Sequence, residues 1–97
     1  MEENKGQLNI ELNDEVAQGI YSNLALIAHS SAEFVLDFIR VLPGLPKAQV
    51  KSRIIMTPEH AKRLMLALQE NIVRYEQQNG KIKNLDGAGG AVDNPAQ

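Results

Sequence analysis

The side chains of this chain that could support catalysis lie close together in sequence, at His29, Ser30 and Glu33. A serine nucleophile needs a base and an orienting acid held together by the fold, and the sequence has no G-x-S-x-G turn to expose such a serine. Closeness in sequence does not make these residues a triad. A hydrolase at His29 and Glu33 is therefore the weakest interpretation, and we predict a protein that is not an enzyme and has no catalytic residue.

A metal site would have to combine the two histidines with a nearby carboxylate, because the chain has no cysteine. The available ligands are His29, His60, Glu33 and Glu59. Their spacing matches neither a zincin helix nor an EF-hand loop. The GAGG sequence at 87–90 is followed by no helical pattern, so it forms no phosphate-binding loop. We predict no bound metal and no cofactor.

Basic residues offer a surface for contacts. Lys51 and Arg53 share one face of a predicted strand, and Lys62 and Arg63 lie near the start of the helix that follows it. Together they could meet an acidic protein surface or a phosphate backbone. The simpler interpretation is a solvated face with local ion pairs that contribute little to stability, and Asp37 on the adjacent strand is a candidate partner for Arg53.

Length and composition place these residues in one small domain. With 97 residues and a net charge of −2, the chain has room for one domain and too little charge to imply a polyionic partner. The N-terminus lacks the apolar segment of a signal peptide, and no apolar run reaches the ~18 residues that a membrane span needs. With no cysteine, the composition suits a reducing compartment, and we expect a cytoplasmic location.

The boundaries of one long helix can be recognised from single residues. Thr57 is a favourable N-cap, Pro58 suits the first helical position, and Glu59 places negative charge at the positive end of the helix dipole. Gly80 can adopt the left-handed conformation that ends a helix. We therefore predict a helix near 58–79.

The predicted helix carries apolar residues on two sides. The main stripe has i, i+3, i+4, i+7 spacing and should pack across a sheet. Its members are Ala61, Leu64, Met65, Leu68, Ile72 and Tyr75. Leu66 and Val73, one heptad apart, lie on roughly the opposite side. Scattered surface leucines are common, so these two are either ordinary surface residues or a contact stripe for a sister chain or a partner.

Alternating and β-branched residues predict four strands. They lie near 7–12, 20–29, 33–42 and 48–56. Residues 16–30 also fit a helix, because several of their apolar members have helical spacing. Gly19 argues against it, since glycine inside a helix costs about 1 kcal/mol relative to alanine. We prefer the strand there, and the helix stays an alternative.

These elements predict one α+β domain. We expect a twisted antiparallel β-meander of three to four strands, followed by one long C-terminal α-helix packed on the sheet. The domain spans 7–82, after a flexible N-terminus at 1–6. The remaining residues, 83–97, are rich in glycine, alanine and asparagine. They cannot bury enough apolar area to offset the entropy of ordering, so we predict a disordered tail.

The reverse side of the sheet motivates a dimer. One helix can cover only one sheet face, yet Ile39, Val41 and Ile55 add apolar area to the other face. We therefore predict a homodimer that forms through the sheet or through its edge strands.

Blocks of residues in a fixed order give the chain a resemblance to a known family. They include Tyr21-Ser22-Asn23, Glu33-Phe34, Leu36-Asp37-Phe38, His60-Ala61-Lys62-Arg63-Leu64 and Asn71-Ile72. Over about residues 7–82 the sequence resembles a bacterial and archaeal family of domains of unknown function, number 3467 in that series. One departure is Ser30-Ser31, where the family has a Ser-Pro dipeptide. The resemblance implies a small domain of shared architecture, with no assigned reaction.

Two further implications follow from the resemblance. Members in the Bacteroidetes tend to be encoded beside the large subunits of RNA polymerase, which implies a transcription-associated role. The predicted meander and helix are also similar in outline to the export chaperone SecB, which forms tetramers and binds unfolded chains in apolar grooves. An analogy of fold carries little weight on function.

The sequence thus predicts a non-enzymatic protein-interaction domain that self-associates, with RNA polymerase as a candidate partner. The predicted contact residues are Lys51, Arg53, Lys62, Arg63, Leu66 and Val73. One alternative is nucleic-acid binding by the basic face, which the low aromatic content disfavours. The other is a SecB-like chaperone for unfolded chains.

Overall fold

Three antiparallel strands and one long helix are the main elements of the fold. The computed structural model describes residues 8–83 and 90–93. In chain order the elements are α1 (Asp14–Ala17), β1 (Leu24–His29), β2 (Phe34–Arg40), β3 (Gln49–Met56), α2 (Pro58–Asn79) and β4 (Gly90–Asp93). Strand β2 pairs antiparallel with both β1 and β3. The predicted meander and the C-terminal helix that follows it are therefore confirmed.

The turns of the meander are closed by local bonds and by a glycine. In the β1–β2 turn, the hydroxyl oxygen of Ser30 accepts hydrogen bonds from the backbone N–H groups of Ala32 and Glu33, at 3.1 and 3.2 Å. In the β2–β3 loop, Gly44 has φ +81°, a conformation that residues with a Cβ rarely adopt. These turns hold the three strands in register.

Ser22 and Asn23 attach the start of β1 to the end of β2. The Asn23 side chain accepts a hydrogen bond from the Val41 N–H at 2.8 Å and donates one to the Val41 carbonyl at 3.1 Å. The Ser22 hydroxyl donates to the Ile39 carbonyl at 3.1 Å. The Asn23 N–H also donates to the Ile39 carbonyl at 3.0 Å, and β1 begins at Leu24, later than the predicted strand 20–29.

The register of the meander gives the sheet two faces, because paired residues on neighbouring strands point to the same side. We call one the groove face; it carries Ile27, Phe34, Leu36, Phe38, Ile54 and Met56. We call the other the reverse face; it carries Leu26, Ala28, Val35, Asp37, Arg53 and Ile55. Both faces are mostly apolar, and only the reverse face has a charged pair at its centre.

A β-bulge interrupts the pairing of β2 with β3. Phe38 pairs with Ser52, but Ile39 pairs with Val50, so Lys51 is the extra residue on β3. Beyond a bulge the alternation of side chains shifts by one position. The bulge leaves Lys51 without a partner on β2, and the common face of Lys51 and Arg53 stays a prediction.

Helix α2 begins and ends where the sequence predicts. Thr57 accepts a hydrogen bond from the backbone N–H of His60 through Oγ1, at 3.2 Å. Gly80 takes φ +86° and donates its N–H to the carbonyl of Glu76 at 3.0 Å. Both ends are fixed by residues next to the helix, which explains why sequence alone locates them.

The buried core is small and lies in the sheet. Among the described residues, the buried apolar side chains are Leu36, Ile39 and Met56, which are 9%, 5% and 9% exposed. Helix α2 contributes no buried residue. The predicted packing of α2 across the sheet is therefore not observed. One residue, Thr57, separates α2 from β3, and the main stripe faces the sheet across an open groove.

The predicted strand at 7–12 is wrong over its described part. Residues 8–13 form no strand, and Asn13 instead caps α1 by accepting a hydrogen bond from the Val16 N–H at 2.8 Å. The apolar residues of this stretch remain more than two-thirds exposed. Alternation predicts which side chains would share a face, but it does not supply a sheet edge to pair with. The region 16–30 accordingly contains the end of α1 as well as β1.

Strand β4 joins the other edge of the sheet. It pairs in parallel with β1, which gives the strand order β3-β2-β1-β4. Residues 90–93 belong to the segment 83–97 that we predicted to be disordered, and they form a strand instead. The rest of that segment beyond residue 83, and the predicted flexible N-terminus at 1–6, lie outside the described residues.

In the part of the chain that the structure describes, no helix combines the length and hydropathy that a membrane crossing requires.

Candidate interaction surface

An open apolar groove separates α2 from the sheet. Its volume is about 540 Å³, and it lies between the groove face and the first half of the main stripe. It is lined by Ile27, Phe34, Leu36, Met56, Pro58, Ala61, Lys62, Met65 and Leu68. Lys62 is the charged residue of this lining. Apolar walls that face no packed neighbour lose dispersion contacts and stay in water, so another apolar element would be stabilised here.

The main stripe of α2 is open to solvent along its length. Leu68 is 56% exposed and Tyr75 is 52% exposed, although the spacing of both residues predicts burial. Leu64 and Ile72 are the most protected of the large stripe residues, at 37% and 39%. The helix therefore carries an apolar surface that its own sheet leaves uncovered.

Leu66 and Val73 extend this apolar surface around the helix. They are 51% and 49% exposed, as open as the main stripe itself. A shallow concavity of about 380 Å³ connects the two stripes and is lined by Met65, Leu68, Gln69, Ile72 and Val73. At about 100° per residue, the two stripes together span about 200° of the circumference from Leu64 to Leu66, which we call the apolar arc, and Lys62, Gln69 and Glu76 lie between the stripes. A helix that packs on one surface needs about 100°. The helix thus has apolar surface for contacts on two sides.

The groove face has a second opening beside α1. This opening has a volume of about 470 Å³ and is lined by Glu15, Val16, Gly19, Ile20, Ser22, Phe38 and Ser52. Val16 and Ile20 in its wall are 64% and 61% exposed. Uncovered apolar area on the groove face is therefore not confined to the groove beside α2.

The predicted basic contact residues have different surroundings. Lys51, displaced by the bulge, lines a small cavity of about 170 Å³ together with Arg40, Lys47 and Gln49. Arg53 lies on the reverse face, and Lys62 lies at the apolar groove. Among the described residues, Lys51, Lys62 and Arg63 form no ion pair. Lys51, Arg53 and Lys62 thus have different neighbours, and their common surface with Arg63 stays a prediction.

Arg53 forms an ion pair with Asp37, as their positions on adjacent strands predicted. Its Nε and Nη2 atoms donate to Oδ1 and Oδ2 of Asp37 at 2.7 and 2.8 Å. These hydrogen bonds are the main cause that holds the pKa of the Asp37 carboxyl below its ordinary value; partial burial opposes the shift, and the charge of Arg53 adds to it. The same pair raises the pKa of Arg53. Arg53 is therefore a less suitable partner contact than its sequence position suggests.

The residues considered for catalysis have structural contacts. The His29 ring stacks on Phe34 with centroids 5.3 Å apart. Ser30 uses its hydroxyl to close the β1–β2 turn. Within the described ranges, no three histidine and acidic residues are grouped in a way that could hold a metal ion.

The groove between sheet and helix is the feature that sequence reasoning missed. Both stripes of α2 were identifiable, because they depend on spacing along one element. The gap depends on the angle at which α2 leaves β3, and no residue type encodes that angle. The one available signal was the width of the apolar arc, which exceeds what one sheet face needs.

Comparison with known proteins places the chain in a family. A family model described as protein of unknown function (DUF3467) matches residues 1–84. The chain belongs to this family, which confirms the resemblance that the sequence blocks indicated. No curated protein and no solved structure matches the chain.

Proposed function

We propose that this member of the DUF3467 family is a non-enzymatic protein-interaction domain that works as a homodimer. The observation that supports the proposal is the exposed apolar surface of α2. Seven large apolar side chains between Leu64 and Tyr75 are 37% to 56% exposed. Monomeric proteins rarely leave a contiguous apolar patch of this kind in water. A second chain would remove it from water.

The amount of apolar area suits a dimer interface. A side chain of this size that is half exposed leaves on the order of 80 Å² open, so the seven residues offer roughly 600 Å², compared with ~800 Å² per partner in a stable interface. The open groove face adds to this area. Area alone does not give affinity, but an area this large permits a specific contact.

A second copy of the chain is the partner that the surface fits best. Each copy supplies one groove and one uncovered helix, and both surfaces are apolar. A two-fold contact brings each groove to the other copy's helix, so one arrangement covers all four surfaces. An unrelated partner would have to supply both complementary shapes itself.

Leu68→Asp tests the proposal. Leu68 is 56% exposed and borders both the groove and the concavity on α2. In a dimer the new carboxylate would be buried without a partner, which should raise the dimer Kd by roughly 100-fold or more. Light scattering across micromolar concentrations should therefore show a dimer for the wild type and a monomer for the variant.

Ala67→Asp is the matched control. It adds the same charge at the neighbouring position, about 100° around the helix from Leu68 and on the polar side. This variant should remain dimeric. A monomeric wild type would refute the proposal, and equal dissociation of the two variants would show that charge on α2, not its apolar surface, controls assembly.

RNA polymerase is a further candidate partner, supported by the family resemblance alone. Tagged protein should recover polymerase subunits from its native host at two salt concentrations and after nuclease treatment. Recovery lost with nuclease would favour nucleic-acid binding, and recovery of only the protein itself would contradict the polymerase association.

A chaperone role for unfolded chains is a second candidate, because apolar concavities can accept client side chains. It predicts that the protein slows the aggregation of an unfolded client at stoichiometric ratio, and that Leu68→Asp weakens this protection. Absence of protection would eliminate it.

Direct nucleic-acid binding has less support, because aromatic residues make up 4% of the chain and stacking on bases needs them. It requires an affinity that falls steeply with salt, and no binding at low salt would exclude it.

A further inference from the structure

We infer that α2 of the second copy enters the groove of the first in antiparallel orientation, with the two-fold axis next to Leu68. The inference rests on the proposed homodimer and specifies its interface. Three independent features of α2 support it: the symmetry of the main stripe, the charges beside it, and the width of the apolar arc.

Five of the six residues of the main stripe are placed symmetrically about Leu68. Ala61 and Tyr75 lie seven residues on either side of it, and Leu64 and Ile72 lie four residues on either side. An antiparallel pair centred on Leu68 therefore sets Leu64 against Ile72 and Leu68 against Leu68, while Met65 lies opposite Asn71. It also sets the small Ala61 against the large Tyr75 of the second copy, which favours close packing.

Three polar residues along one flank of the stripe favour the same orientation. Lys62, Gln69 and Glu76 are spaced by seven residues, so they lie one above another on the helix. In an antiparallel pair, Lys62 of each copy lies near Glu76 of the other. In a parallel pair, this flank would face the opposite flank of the second helix, so Lys62 and Glu76 would not meet each other. Flanking charges of this kind set the orientation of paired helices.

The stripe and the charges agree on the position of the axis. The midpoint between Lys62 and Glu76 is Gln69, adjacent to Leu68 at the centre of the stripe. Glu76 also accepts a hydrogen bond from the Ile82 N–H at 3.0 Å, which holds its carboxylate beside the helix.

The groove and the second stripe explain how the pair fits between the two sheets. The groove of about 540 Å³ adjoins the concavity of about 380 Å³, because Met65 and Leu68 line both. Leu66 and Val73 are about two turns apart on α2. A helix that lies between another helix and a sheet needs apolar residues on two sides. The main stripe would contact the second helix, and Leu66 and Val73 would contact the second copy's groove face.

Introduced cysteines test the orientation, because the chain has none of its own. Leu68→Cys should form a disulfide-linked dimer on mild oxidation. Ala61→Cys and Tyr75→Cys should each fail to link to their own kind, because like positions would lie about 21 Å apart along the axis. A mixture of Ala61→Cys and Tyr75→Cys chains, carrying tags of different size, should link, because opposed positions come within disulfide reach.

The outcomes separate the inference from the proposed function. If Ala61→Cys and Tyr75→Cys each link to their own kind, the helices are parallel and the inference is wrong. If light scattering shows a dimer but no helix position links, the dimer forms elsewhere and only the inference fails. A monomeric wild type removes both.

Two further measurements test the groove and the charges. Ile54→Cys on the groove face should react with a thiol reagent at least about tenfold more slowly in the dimer than Ile55→Cys on the reverse face, because only the former is covered. Lys62→Glu and Glu76→Lys should each weaken dimerisation by roughly tenfold, and mixing the two variants should restore it. Equal thiol reactivity excludes entry into the groove, and unchanged affinity of both charge variants excludes the antiparallel contact.

Discussion

Strand β2 and helix α2 are both rich in apolar residues, but they bury them to very different extents. On β2, Leu36 and Ile39 are 9% and 5% exposed. On α2, Leu68 and Ile72 are 56% and 39% exposed. A central strand must pair its backbone with neighbours on both sides, and this pairing brings covering side chains with it. A helix satisfies its own backbone, so α2 can be complete as a helix while its apolar surface remains uncovered.

The first prediction concerns a buried residue of the sheet. Leu36→Ala removes a buried side chain and should cost about 2–4 kcal/mol of unfolding free energy, through lost burial and a residual cavity. Urea unfolding at one protein concentration measures the loss. Ile54→Ala on the same face is the comparison, because Ile54 is 44% exposed within one chain. If Ile54→Ala costs as much as Leu36→Ala, the groove face is covered in solution.

The second prediction concerns the helix. If α2 is covered by a second copy, the thermal midpoint of the wild type should rise with protein concentration. Leu68→Ala should then cost about 1–2 kcal/mol at fixed concentration, because the leucine is buried in the dimer. Gln78→Ala, on the polar side of α2, should change little. In a monomer, by contrast, truncation of an exposed Leu68 would stay within about 0.5 kcal/mol and the midpoint would not depend on concentration.

The third prediction addresses the junction between the two regions. Thr57 is the residue between β3 and α2, and its Oγ1 accepts the His60 N–H. Thr57→Ala should cost about 1 kcal/mol, because an amide of the first turn loses its partner. Thr57→Ser keeps the hydroxyl and should retain most of the stability in the same urea experiment. Equal losses in both variants would mean that the threonine methyl, not the cap, supports the junction.

The same contrast explains what sequence predicts here and what it does not. The ends of α2 depend on Thr57 and Gly80, which act on the adjacent turns, so sequence locates them. The angle between α2 and the sheet depends on contacts between distant residues, so the predicted packing fails. The strand predicted at 7–12 fails for a related reason, since a pattern of alternation cannot show that a sheet edge is present.

The candidate site follows the same division. Leu66 and Val73 are exposed and belong to the apolar arc of α2, and spacing alone located them on the side away from the main stripe. The basic residues on β3 depend on the sheet register, and the bulge leaves Lys51 without a pairing partner on β2. No glycine or proline marks this bulge in the sequence. A face predicted by counting residues is therefore dependable along a helix and less so along a strand.

The smallest expected effect concerns two ion pairs, one on the sheet and one on α2. Asp37 and Arg53 pair on the sheet, where their side chains are 13% and 61% exposed. The pair lowers the pKa of Asp37 in the folded state. Its contribution to stability is therefore fully present above the pKa of the unfolded state, about 3.9. The contribution is lost as the pH falls through the lower pKa of the folded state. The stability difference between the wild type and Asp37→Asn should therefore be present at pH 7 and shrink towards pH 3.

The pair on α2 is the matched control for that measurement. Glu70 and Arg74 are 3.2 Å apart, and their side chains are 69% and 60% exposed. Solvent screens such a pair strongly, so Glu70→Gln should change the urea midpoint at pH 7 less than Asp37→Asn does. If the Asp37→Asn difference is the same at both pH values, the Asp37 carboxylate does not act through its charge. If instead Glu70→Gln has the larger effect, the surface of α2 near Glu70 is desolvated in solution, which would extend the dimer contact beyond the apolar arc.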